Sequence, residues 1–221
     1  MELPAYVDAV VFDNDGLLAY TEAGWTRAET AIFAEHGHEF GIDQKQIVIG
    51  KSLAAAGLAM ADYFGRPGAG PALTRRLHDL VAVELAAGAD ALPGARELVS
   101  ELRGRIPIAV ASNSPRAFVD AALVSAGLDD LFSVVLSADD VEQPKPAPDL
   151  YLAACTRLNA GPARTVAFED SPTGAASARA AGMVVVSVPS LPGADLGADA
   201  EYASLADPAL VAWARKVRGP R

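Results

Sequence analysis

From residue 92 to the end of the chain, apolar runs of strand length alternate with segments of helical period. The runs are IPIAVA before Ser112, then 132–136, 165–168 and 183–188. Helical patterns occupy 95–103, 115–127, 149–158 and 172–182, with a terminal one after Asp207-Pro208. Pro at a first position and Gly just past an end mark several of their boundaries. One more apolar run, Ala9-Val10-Val11-Phe12, comes before residue 17. Such alternation predicts an α/β fold, a parallel sheet with helices on both faces.

The stretch between the first strand and the rest breaks the pattern. Thr21 is placed to cap a helix carrying Trp25, Ala28, Ile32 and Phe33, which Gly37 ends. A second helical segment after Ser52 carries Leu53, Met60, Ala61 and Phe64, and a third carries Leu73, Leu77, Leu80 and Leu85. No strand is expected here. The chain therefore divides into a Rossmann-like parallel-sheet core, residues 1–19 and 89–221, and an inserted all-helical cap, residues 20–88. Inserted at that point, the cap should lie over the C-terminal edge of the sheet as a lid, hinged near residues 17–20 and 88–92.

Of 221 residues, 51% are hydrophobic and 21% charged, enough for a large core. No apolar run approaches the roughly 18 residues that span a membrane. The N-terminus, MELPAYVDAV, has an acid where a signal peptide needs basic residues, so a cytoplasmic protein is expected. The single cysteine, Cys155, excludes an intrachain disulfide and fits a small core residue. A net charge of −10 argues against nucleic acid or an anionic membrane surface as partner. The expected partner is a small molecule, and the expected state a monomer or weak homodimer. If that molecule is itself anionic, local cations or a bound metal must offset the background field.

Four strand exits carry distinctive groups: Asp13 and Asp15, Ser112 and Asn113, Lys145 in QPKPAPD, and Glu169 with Asp170. A parallel sheet gathers all four at its ligand-binding edge. Asp13, Asp170 and the neighbouring Glu169 would repel one another unless a hard divalent cation lay between them, and Mg²⁺ fits that need. Lys145 and the Ser112 hydroxyl supply donors on the other side, making a site for a dianionic phosphoryl group. Asp13 then suits in-line attack on phosphorus, and Asp15 suits proton transfer to and from the leaving and attacking oxygens.

Asp13-Asn14-Asp15-Gly16, Ser112 after IPIAVA, Lys145 in QPKPAPD and Glu169-Asp170 in VAFEDSPTG, in this order, resemble the four motifs of the haloacid dehalogenase-like hydrolases, in the branch with a helical cap. The resemblance implies Asp13 as nucleophile, Asp15 as acid and base, phosphate contacts from Ser112 and Lys145, and Mg²⁺ on Asp13 and Asp170. It adds the backbone carbonyl of Asp15 to the metal's ligands and Glu169 through water. It also places the first cap helix at the border of the active site, making Thr21 and Trp25 candidate substrate contacts, although Trp25 at its helical spacing reads first as cap core. Lys51, after Gly50, stands where such caps often touch substrate; a solvated helix start is the equal alternative.

Dehalogenases of this type lack the second acid, so Asp15 points to phosphoryl chemistry. The reading is a Mg²⁺-dependent phosphatase acting on a small phosphorylated metabolite of the sugar or polyol phosphate type. A β-phosphoglucomutase-like mutase is the nearest rival, but such mutases usually carry a His where Trp25 stands, and Tyr20 replaces the acid before Thr21. A non-catalytic phosphometabolite-binding protein is the alternative from another class.

Overall fold

The computed structural model describes residues 2–191 and 193–220. Strand β1 (Ala9–Phe12) leads into four helices, α1 (Glu22–Glu35), α2 (Ile42–Val48), α3 (Leu53–Tyr63) and α4 (Gly70–Leu85). Helices and strands then alternate: α5 (Ala95–Leu102), β2 (Ile108–Ala111), α6 (Arg116–Ser125), β3 (Val134–Leu136), α7 (Asp149–Leu158), β4 (Thr165–Glu169) and α8 (Pro172–Ala180). The remainder is β5 (Val184–Ser187), β6 (Ala200–Glu201) and α9 (Pro208–Lys216). All strand pairings are parallel, in the order β3-β2-β1-β4-β5-β6. Helix α2 and the two-residue β6 were not expected from the sequence; α2 is too short for its periodicity to stand out, and β6 is below the length of a recognisable run.

Side chains alternate across the central strands as a period of two requires. Val10 and Phe12, Val110, Val166 and Phe168 join a cluster with α5, α6 and α9. Val11, Ala109, Ala111 and Ala167 face α7 and α8. Three of those four are alanines, which lets α7 lie close enough to bury Leu150 and Tyr151 completely. Cys155 is buried in this same layer, as expected of a small core residue.

Strand register levels the exits. Phe12 pairs with Val110 on one side and with Phe168 on the other. The chain thus leaves β1, β2 and β4 at one height. The ladder extends one step further, with Asp13 N–H donating to the Phe168 carbonyl and Ser112 N–H to that of Leu136, both at 3.0 Å.

The helices α1 to α4 enclose an apolar cluster of their own, including Ile32, Phe33, Met60, Leu73 and Leu77, to which Phe118 of α6 is added from the core. The two chain passages leading in and out run side by side: Tyr20 N–H donates to the Asp90 carbonyl (2.8 Å) and Leu92 N–H to that of Leu18 (2.9 Å). No helix among the described residues is long and apolar enough to cross a membrane.

Candidate active site

Asp13 follows directly from the last residue of β1, and its carboxylate is buried. Its Oδ1 accepts from the Lys145 ammonium at 2.6 Å. That ammonium also donates at 2.6 Å to Glu169, which lies at the end of β4 and is fully buried. Burial pushes the Asp13 carboxyl up to about 8, against the pull of Lys145 and with the push of Glu169 and Asp15. Lys145 is held protonated: burial alone would lower it, but the two carboxylates it touches win.

Glu169 has little capacity left. Oε1 accepts from Lys145 and from the Tyr151 hydroxyl, and Oε2 from the Asp170 N–H (3.2 Å) and the Ser171 hydroxyl (3.4 Å). Burial and the adjacent Glu169 carboxylate raise Tyr151 well above its usual value, so it remains a donor. The Glu169 carboxylate fits because residue 174, in the first turn of α8, is glycine; a Cβ there would stand 1.9 Å from Oε1.

Asp13, Glu169 and Asp170 each offer an oxygen, all within 4.8 Å of one another. Asp170 is buried and has no ion-pair partner among the described residues; burial first, then Asp13 and Glu169, raise it well above the usual carboxylate range. Three buried carboxylates, of which only Asp13 and Glu169 touch the one ammonium, form a hard, oxygen-only donor set that fits Mg²⁺. The turn after β1 supports this placement. Gly16 has φ +79°, and a Cβ on it would come within 2.4 Å of Asp170 Oδ2. Glycine is required there both for conformation and for room.

Asp15 sits in a different setting. Oδ1 accepts from the Thr21 hydroxyl (2.8 Å) and, at 3.4 Å, from the Trp25 indole N–H; Oδ2 accepts from Ser112 (3.1 Å) and Ser114 (2.7 Å). Thr21 does not cap α1, contrary to expectation, because its hydroxyl is turned to Asp15. Trp25 belongs to the apolar cap cluster and packs edge-on against Phe118, 6.3 Å between centroids. Trp25 is thus cap core, as its spacing suggested, and both candidate substrate contacts donate to Asp15.

Asn113 is fully engaged as well. Its amide donates to the Gly50 carbonyl (2.8 Å) and the Lys145 carbonyl (2.9 Å), and its oxygen accepts the Lys145 N–H (2.8 Å). Lys51 lies exposed at the rim. The helix after Glu169-Asp170 is capped by Ser171, which accepts from Gly174 N–H, so neither acid is spent as a cap.

These side chains surround one cavity of about 50 Å³ between core and cap. Asp13, Asp15, Ser112, Asn113, Lys145 and Asp170 line its floor, and Trp25 and Lys51 its roof. Thr21 stands behind Asp15, and Glu169 behind Lys145. Sequence reasoning passed over Ser114, Tyr151 and the cap residues Glu22, Glu29 and Lys45, three of which line the cavity with Ser114. Ser114 was within reach of inference, since it lies two residues beyond Ser112 on the same loop. Tyr151, Glu29 and Lys45 carry no local signal, because their partners are 16 or 18 residues away.

A family model described as haloacid dehalogenase-like hydrolase matches residues 7–182. The chain is 36% identical over 196 residues to the protein CbbY of Rhodobacter capsulatus, covering 82% of this chain and 85% of that one. It is 31% identical over 179 residues to fructose-1-phosphate phosphatase of Escherichia coli, covering 81% and 95%. The crystal structure of CbbY from Rhodobacter sphaeroides in complex with phosphate superposes with a TM-score of 0.75 at 27% identity, over 91% of this chain and 96% of that one.

Proposed function

The chain belongs to the haloacid dehalogenase-like hydrolase family, and from that membership we propose that it is a phosphatase hydrolysing a small sugar or polyol phosphate through an aspartyl-phosphate on Asp13. The observation that carries the reading is the contrast between Asp13 and Asp15 in one cavity. Asp13 is paired with Lys145 and crowded by carboxylates, whereas Asp15 is gripped by four neutral donors. Two carboxylates in such unlike settings suit two different duties.

In the proposed reaction the phosphoryl group lies against Asp13, with Lys145 on its flank. An Asp13 oxygen attacks phosphorus in line as the bond to the substrate's alcohol oxygen breaks. Asp15 gives its proton to that leaving oxygen, then takes one from the water that attacks the aspartyl-phosphate. Inorganic phosphate leaves and the Asp13 carboxylate is regenerated. Asp13 and Asp170, with Glu169 behind them, would hold Mg²⁺, which supplies charge compensation between nucleophile and phosphoryl oxygens. Glu169 and Tyr151 fix the position of Lys145.

The cap closes over this chemistry as a lid on residues 20–88, with the paired strands of chain at 17–20 and 88–92 as its hinge. Closure brings Thr21 and Trp25 to Asp15, so the acid is completed only when the lid is down. The test is phosphate release from a panel of phosphate monoesters with Mg²⁺. Wild type should turn over at least one sugar or polyol phosphate, and Asp13→Asn none; equal release by both would remove Asp13 from the mechanism.

A further inference from the structure

The cavity has a second polar wall, on the cap, which the chemistry above leaves unused. Lys45 of α2 places its ammonium 2.7 Å from Glu29 Oε2 and in contact with Glu22, both on α1. Glu22 and Glu29 are seven residues apart, two helical turns, so they share one face and Lys45 reaches between them. Lys45 and Glu29 are 5% and 3% exposed. All three line the same cavity as Asp13 and Lys145. The cap's interior is otherwise apolar, and an apolar trio of similar volume would hold it together at least as well. The cluster therefore adds little to the fold that hydrophobic packing could not, and its position at the cavity wall gives it another use.

The balance of charge says what that use is. Above about pH 7, where Glu29 is ionised, the trio sums to −1, and the one ammonium is already shared by two carboxylates. A hydroxyl suits such a wall, since it accepts from an ammonium while donating to a carboxylate. A carboxylate or second phosphate on the substrate would meet two like charges and a cation that is already occupied. Resting on the phosphatase reading, we propose that Glu22, Glu29 and Lys45 form the leaving-group pocket, selecting phosphate esters of uncharged, hydroxyl-rich alcohols and rejecting those that carry a further anion. The same wall opposes a mutase cycle, which must lodge a bisphosphate beneath the cap.

The experiment compares kcat/KM for glycerol 1-phosphate and fructose 1-phosphate with that for phosphoglycolate and fructose 1,6-bisphosphate. Wild type should favour the first pair by at least about tenfold. Glu29→Gln, which removes one negative charge at constant shape, should shift that ratio toward the anionic pair by about tenfold. Lys45→Met should lower the ratio of polyol phosphate to p-nitrophenyl phosphate turnover. Should Lys45→Met fail to fold by circular dichroism, the uncharged pair Glu29→Gln/Lys45→Met takes its place and should give the same loss. Equal or better turnover of the anionic pair by wild type overturns the proposal while leaving the phosphatase reading standing, and so does a ratio that Glu29→Gln does not move. Abolition of any anionic preference by Lys51→Met would show that the rim lysine reads a second anion, which also overturns it. Release of phosphate from no substrate, p-nitrophenyl phosphate included, overturns both.

Discussion

Asn113 and Gly50 join the two halves of the protein: the Asn113 amide, on the core, donates to the Gly50 carbonyl, on the cap, at 2.8 Å. Its second hydrogen and its oxygen hold the backbone of Lys145. One side chain thus ties Gly50 of the cap to the loop that presents the Lys145 ammonium. Thr173 adds a weaker tie to the Ile49 carbonyl at 3.3 Å.

Asn113→Ala should leave two carbonyls and one N–H without this partner, at about 1–3 kcal/mol for each group that stays buried. The expected result is a fall of about tenfold or more in kcat/KM, with faster proteolytic cleavage at residues 17–20 and 88–92. Steady-state kinetics and limited proteolysis check it together. Lost activity with unchanged cleavage would mean that Asn113 serves Lys145 alone and not the lid.

Asp15→Asn keeps the volume and can still accept hydrogen bonds, but it cannot carry a proton. Turnover should drop by roughly a hundredfold or more while KM changes little. Ser114→Ala removes the shortest of the four contacts that orient the acid, 2.7 Å, and should lower kcat by about tenfold. Wild-type kcat in Asp15→Asn would take the residue out of the mechanism.

The floor of this site was legible because all its residues but Lys145, which sits in the loop beyond β3, closely follow an apolar run, and a parallel sheet brings such exits together. Asp13, Asp15, Ser112, Lys145 and Asp170 needed only strand order and direction to be placed at one edge. The roof was not legible. Thr21 and Trp25 were candidate substrate contacts because their helix borders the site, yet both donate to Asp15, a contact between residues six and ten positions apart across a turn. Lys45 sits on α2, a seven-residue helix whose period is too short to see, and its partners lie on another helix. Charge pairs between helices depend on packing geometry, which no window along the chain contains. Glu29 is buried on α1, and nothing along the sequence marks it.

Asp170 provides a test of the metal that does not depend on turnover. It is buried beside Asp13 and Glu169 without a cation partner among the described residues, so in the absence of metal it strains the site. Asp170→Asn should raise the metal-free melting temperature, because it removes a buried carboxyl whose ionisation burial and its carboxylate neighbours oppose. Mg²⁺ at about a hundred times its Kd should stabilise wild type by about 2.7 kcal/mol and leave Asp170→Asn unmoved. Differential scanning calorimetry with and without Mg²⁺ reads both effects. A Mg²⁺ response that survives in the variant would place the ion elsewhere.

Glu29 sets a pH dependence of stability whose sign can be worked out. Burial lifts its carboxyl from 4.5 to about 7, with Glu22 adding to the rise and Lys45 opposing it. Between those values the folded protein keeps a proton that the unfolded chain has released. Stability from this group is therefore full below about pH 4.5 and declines as pH rises toward 7, by about 3 kcal/mol over the window. Lys45, raised above its ordinary value, is protonated in both states throughout and contributes no slope there. Asp13 and Asp170 are also raised and slope the same way, so the informative quantity is the difference between wild type and Glu29→Gln. The variant should show a flatter decline between pH 4.5 and 7, measured by urea unfolding at half-unit steps, while Lys45 retains its contact with Glu22. Parallel curves for the two proteins would mean that Lys45 holds Glu29 ionised through the whole range.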